Sequence, residues 1–88
     1  MITKELEVLN ELGFHARVAC RITRSTGEFA CSICVKKDGM SFDLKNVTGV
    51  VMANVKCGDK VTVEFDGPDE QEAAKAVEEL FAQKFGER

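Results

Sequence analysis

At 88 residues, with 44% hydrophobic and 31% charged residues and a single proline, the chain has the composition of one folded globular domain spanning residues 1–88 rather than of a disordered tail. Its formal net charge of −3 argues against a general nucleic-acid binder, which needs a dense basic surface to displace counterions from phosphates. No apolar run approaches the ~20 residues of a membrane span, and Met1–Asn10 lacks the apolar stretch of a signal peptide. No membrane insertion and a cytoplasmic address are therefore expected. In that reducing compartment the four cysteines, Cys20, Cys31, Cys34 and Cys57, are expected to remain free thiols.

Ile2, Leu6 and Val8 alternate with Thr3, Glu5 and Glu7, the period-two pattern of a half-buried strand, and Lys4 on the apolar side marks it as an edge. From Ala16 to Thr26 the spacing of Ala19, Ile22 and Thr26 predicts a helix that Gly27 closes, with Arg17, Arg21 and Arg24 on another face. Cys31, Ile33 and Val35, then Asp38-Gly39, then Met40, Phe42 and Leu44 predict a hairpin with a two-residue turn. Asn46 is placed to cap a short helix through Val47, Val50 and Val51, extending toward Val55. Val61, Val63 and Phe65 form the face of a further strand. A last helix is predicted from an Asp69 cap, with Glu72 completing a capping-box variant, through Ala73, Val77, Leu80 and Phe81 to Gly86.

The order βαββαβα, with alternating strands, predicts an α+β fold: an open-faced β-sandwich whose four-stranded antiparallel sheet carries three helices on one face.

His15 is the only histidine, and it stands directly before the first helix, where Ser, Thr, Asp or Asn normally caps. A helix start offers unpaired N–H groups and the positive end of the dipole, so an anion carried on a side chain there is received by backbone. Arg17, in the same turn, offers a planar charge-assisted fork to phosphate oxygens. A nucleophile with a donor shell is what reversible phosphoryl transfer through a histidine requires. Local physics alone leaves open an exposed histidine beside a solvated arginine. Arg21 and Arg24 continue the basic face, either to steer an acidic partner or as a solvated helix surface.

Taken whole, Gly13-Phe14-His15-Ala16-Arg17 after an N-terminal strand resembles the active-site signature of the HPr family of phosphotransferase-system phosphocarriers, and Lys45-Asn46-Val47-Thr48-Gly49-Val50 resembles that family's second signature. The spacing between the motifs, the intervening hairpin and the last helix also match, so the resemblance covers essentially the whole chain.

The resemblance implies that His15 accepts a phosphoryl group through Nδ1 from Enzyme I and delivers it to an Enzyme IIA-type acceptor, with Arg17 steadying the group. It also implies a docking patch around Val47, Thr48, Gly49, Val51 and Met52, although the apolar members of that helix are equally compatible with the core. No cofactor and no metal are implied, a monomer is expected, and the protein is a carrier rather than a stand-alone enzyme.

Two departures from the family pattern stand out. Val18 occupies a position where the family often has proline, which restores an N–H in the first helical turn. Asn46 occupies the position of the family's regulatory serine; it keeps the cap and lacks the hydroxyl, so phosphorylation by the HPr kinase is excluded there.

A regulatory HPr-like protein, acting on enzymes or transcription factors through its phosphorylation state or by docking, is the alternative to sugar import. A third reading is a structural or metal-binding module in which His15 is incidental. Cys31-Ser-Ile-Cys34 gives that reading little support, because residues three apart on a strand point to opposite faces and no second pair completes a tetrahedral set.

Overall fold

The computed structural model describes residues 1–88, and the alternating and helical patterns resolve into seven elements: β1 (Ile2–Glu7), α1 (Ala16–Thr26), β2 (Ser32–Lys37), β3 (Met40–Asp43), α2 (Val47–Met52), β4 (Lys60–Asp66) and α3 (Glu70–Ala82). The strands form one sheet in the order β1-β4-β2-β3, every neighbouring pair antiparallel. Buried side chains alternate along β2 and β4, so Ile33, Val35, Val61, Val63 and Phe65 face the helices. Val18, Ala19, Ile22, Val50, Ala73, Val77 and Phe81 close the core from the helical side.

The other sheet face is bare. It carries Thr3, Glu5 and Glu7 of β1, Glu64 and Asp66 of β4, and Asp43 of β3, with Lys36 paired to Glu64 at 3.2 Å. β1 is an edge strand, as Lys4 foretold, and that lysine reaches Glu78 of α3 at 3.5 Å.

The hairpin turn is read correctly from sequence. Asp38 and Gly39 have φ of 53° and 79°, and Lys37 pairs with Met40, the geometry of a two-residue turn with both central residues left-handed. Val55 is core but lies beyond α2, which stops at Met52 before a left-handed Asn54 with φ 51°. Gly27 closes α1 by donating to the Thr23 carbonyl while staying right-handed, at φ −63°.

The start and end of α3 differ from expectation. Asp69 does not cap its own helix. Its carboxylate instead accepts from the N–H groups of Ala30 at 2.8 Å and Cys31 at 2.9 Å, which ties the α1–β2 loop to α3. The reciprocal bond comes from Glu70, which accepts from Gly67 N–H at 3.1 Å, while Glu72 lies exposed. The helix also ends at Ala82, short of Gly86. Lys84–Gly86 form a single 3₁₀ turn in which Lys84, Phe85 and Gly86 are all left-handed, at φ 56°, 55° and 74°. The reversal accompanies burial of Phe85, whose ring packs edge-to-face on Phe14 and Phe81, with centroids 5.6 and 4.9 Å away.

Candidate functional site

The loop that presents His15 is built from buried backbone. Asn10 is fully buried and its Nδ2 donates to the Gly13 carbonyl at 2.8 Å; Phe14 N–H donates to the Val55 carbonyl at 2.8 Å. Gly13 has φ 66°, and a Cβ there would meet the Val55 carbonyl oxygen at 2.3 Å. The segment leaving α2 therefore clamps the segment entering α1, which sets the two sequence motifs side by side. Phe14 anchors in the core and the next residue, His15, turns outward.

His15 is the N-cap of α1 in an extended conformation, with φ −126° and ψ 179°, and its side chain makes no cap hydrogen bond. Its carbonyl accepts from Ala19 N–H at 2.8 Å, whereas the N–H groups of Ala16, Arg17 and Val18 find no backbone partner. These donors stand at the positive end of α1 with no acidic side chain in the first turn. Restoration of an N–H at Val18 thus enlarges the donor set by one. The imidazole is partly exposed, with Nε2 buried and lacking a hydrogen-bond partner, so Nδ1 is the ring nitrogen left open to solvent.

A residue that sequence reading passed over shapes the rest of the site. Glu87, one position from the chain end, brings its carboxylate to 3.8 Å from His15 Nε2. Arg17 holds that carboxylate with both arms of its guanidinium, Nε donating at 2.8 Å and Nη2 at 2.5 Å, and Arg21 Nη1 approaches it at 3.3 Å while donating to the Phe85 carbonyl. The hydrogen bond from Arg17, followed by the charges of Arg17, Arg21 and His15, holds the Glu87 carboxyl below the usual range, and the same bond raises Arg17. No motif marks Glu87. Only the reversal at Phe85 brings it to the histidine. Arg24, one turn beyond Arg21, makes no ion pair.

Of the residues expected to dock partners, Val47, Val51 and Met52 are exposed large hydrophobics and Thr48 is exposed beside them, while their neighbour Val50 is fully buried. Gly49 serves packing: a Cβ there would stand 2.8 Å from the Asp43 carbonyl oxygen, so its lack of a side chain lets α2 lie against β3. Asn46 caps α2 by accepting from Thr48 and Gly49 N–H at 2.9 and 3.3 Å. Leu12, exposed on the loop before His15, was not singled out from sequence, although an apolar side chain at a loop tip is itself a signal. It lines a shallow cleft of about 330 Å³ with Glu11, Arg17, Gly86, Glu87 and Arg88. Cys31 is buried and Cys34 lies on the bare face, so the two thiols diverge.

Fold and site together define an open-faced sandwich that presents one histidine on a helix start beside two arginines and an apolar rim. Known proteins share this plan. The family model for the PTS HPr component phosphorylation site matches residues 2–83. The phosphocarrier protein HPr of Cupriavidus necator is 39% identical over 87 residues, covering 99% of this chain and 98% of that protein. A crystal structure of HPr-C-His from Thermoanaerobacter tengcongensis superposes with a TM-score of 0.95 at 34% identity, covering 100% of this chain and 99% of the other. The HPr-like protein Crh of Halalkalibacterium halodurans is 31% identical over 77 residues, covering 88% of this chain and 92% of that protein. The chain belongs to the HPr family of phosphocarriers of the phosphotransferase system.

Proposed function

We propose that His15 is the phosphoryl acceptor and that Nδ1 forms the bond to phosphorus. The group comes from phosphorylated Enzyme I and passes to an Enzyme IIA-type acceptor. The observation that carries this reading is the uncapped His15 standing over three unpartnered N–H groups at the start of α1. In-line transfer needs little covalent machinery from the protein; it needs a positioned nucleophile and donors for charge on the phosphoryl oxygens. The amides of Ala16, Arg17 and Val18 supply backbone donors, and the Arg17 guanidinium adds a charged one. Val47, Val51 and Met52, exposed on α2 with Thr48 beside them, and Leu12, exposed on the loop before His15, offer apolar surface that suits successive docking of donor and acceptor. Arg21 and Arg24 add positive charge to that side, complementary to acidic partner surfaces.

The regulatory alternative draws support from HPr-like Crh proteins, which are less similar to this chain than the HPr of Cupriavidus necator. Asn46 argues for a carrier without serine control, since its amide caps α2 and has no hydroxyl to phosphorylate.

Incubation with phosphoenolpyruvate and Enzyme I, followed by phosphorus NMR, tests the reading. Wild type is expected to gain an acid-labile phosphohistidine signal that His15→Ala lacks. A folded wild-type protein that gains no such signal, or an alanine variant that gains the same one, would overturn it.

A further inference from the structure

Three hydrogen bonds behind His15 join end to end. Asn10 Nδ2 donates to the Gly13 carbonyl at 2.8 Å, and the N–H of the same peptide, that of Phe14, donates to the Val55 carbonyl at 2.8 Å. The N–H of the peptide joining Val55 to Lys56 then donates to the Asp59 carboxylate at 2.9 Å. No peptide in the chain is cis, so in both of these the N–H and C=O point opposite ways and the two dipoles line up, positive ends toward Asp59. The carboxylate stands at the end of the row where a negative charge favours every bond in it.

Both ends of the row are anchored. Asn10 is fully buried and its Oδ1 has no partner, so the bond to Gly13 is the one its side chain makes. Asp59 lies in the turn before β4, where its carbonyl accepts from Val8 N–H at 2.9 Å and Gly58 N–H donates to the Val8 carbonyl at 2.8 Å. Lys37, at the end of β2, places Nζ 3.1 Å from the Asp59 carboxylate and donates to the Asn54 carbonyl at 2.7 Å. Val55 is therefore held on both flanks, at the carbonyl before it and at the N–H after it. The Lys56 N–H also holds the Asp59 carboxyl below its usual range, so the row keeps its terminal charge at neutral pH.

We propose, building on the carrier reading above, that Asp59 is a positioning residue for phosphoryl transfer, acting on His15 through the Val55 carbonyl and the Phe14 N–H. The carboxylate polarises the peptide between Val55 and Lys56, which makes the Val55 carbonyl a stronger acceptor for Phe14. Phe14 immediately precedes His15, so a longer bond there shifts the histidine against the unpartnered amides that open α1. Transfer responds steeply to such a shift, since misplacing reacting groups by about 1 Å can cost about a hundredfold in rate. The exposed side chains of α2 take no part in the row, so association with partners is left as it is.

The test compares wild type, Asp59→Asn, Asp59→Ala and Asp69→Asn as acceptors for Enzyme I, with kcat and KM taken from initial rates of pyruvate release from phosphoenolpyruvate, at a temperature where all four are folded. Asp59→Asn keeps an oxygen for the Lys56 N–H and removes only the charge. Asp69, whose carboxylate serves Ala30 and Cys31, is the control for lost stability alone. Asp59→Ala is expected to lower kcat about tenfold and Asp59→Asn about threefold, with KM within about twofold of wild type and Asp69→Asn unchanged in both constants. On isotopically labelled protein, the scalar coupling across the bond from Phe14 N–H to the Val55 carbonyl is expected to shrink in the same order. Wild-type kcat in Asp59→Ala, a loss carried by KM alone, an equal loss in Asp69→Asn, or an unchanged coupling overturns the proposal. If Enzyme I leaves wild type unphosphorylated, the carrier reading fails, and the coupling, measured without any partner, decides separately whether Asp59 holds the histidine loop.

Discussion

At the scale of single residues, the loop before the histidine tolerates least. Gly13 combines a left-handed φ with backbone on the side where any Cβ must go. Gly13→Ala is therefore expected to cost about 2–4 kcal/mol, the sum of conformational strain and a forced backbone shift. Urea unfolding checks the size. A loss confined to a few tenths would mean that the Val55 clamp moves freely. The same shift would carry His15 off the amides of α1, so phosphoryl acceptance is expected to fall with stability. The placement of His15 and Arg17 at a helix start was legible in the sequence because it is local, whereas their proposed role came from the family signature, since local physics alone left an incidental histidine open. The position of Glu87 was not legible, since its approach to the histidine depends on a reversal through three left-handed residues around a buried ring.

Among elements, α2 rests on one cap. Six residues with three valines form a poor helix by propensity, so the Asn46 side chain holding two of its N–H groups matters more than in a longer helix. Asn46→Ala is expected to destabilise the fold by about 1 kcal/mol, read as a lower denaturant midpoint, and Asn46→Ser to cost much less. Equal midpoints for alanine and wild type would show that packing of Val50 alone holds the helix.

The strands and the hairpin could be read directly because alternation and an Asp-Gly turn encode them within a few residues. The start of α3 could not. Asp69 has the residue type and position of a cap, yet its carboxylate serves two amides of a distant loop, a competition that local pattern does not record. The sequence likewise left the α2 valines open between core and docking roles, and only the orientation of α2 on β3 assigns Val50 inward and Val47 and Val51 outward.

For the molecule as a whole, acidity is the relevant stress. Four carboxyls are held below their ordinary values: Asp69 chiefly by the Ala30 N–H, Asp59 by the Lys56 N–H, Glu70 by the Gly67 N–H and Glu87 by Arg17. A group with a depressed folded value contributes stability above its unfolded value and loses it as pH falls through the folded one. Stability is thus expected to be level near neutrality and to decline below about pH 4, where free carboxyls protonate. Thermal melts between pH 7 and pH 2 test this. Asp69→Asn is expected to melt lower at pH 7 and to lose less on acidification, so that the two curves converge; parallel curves would place the acid response elsewhere.

The bare sheet face has a consequence for how the protein meets its partners. Glu5, Glu7, Glu64, Asp66 and Asp43 lie on that face against Lys36 and Lys60, an acidic excess of three, while Arg17, Arg21 and Arg24 lie on α1, across the core. Such a separation makes the molecule an electric dipole despite its small net charge. An approaching acidic surface exerts a torque that turns the histidine toward it and the sheet away. If donor and acceptor dock in succession on the histidine side, as proposed, such a field is expected to present that side to each of them, with the uncovered half of the sandwich as the counterweight.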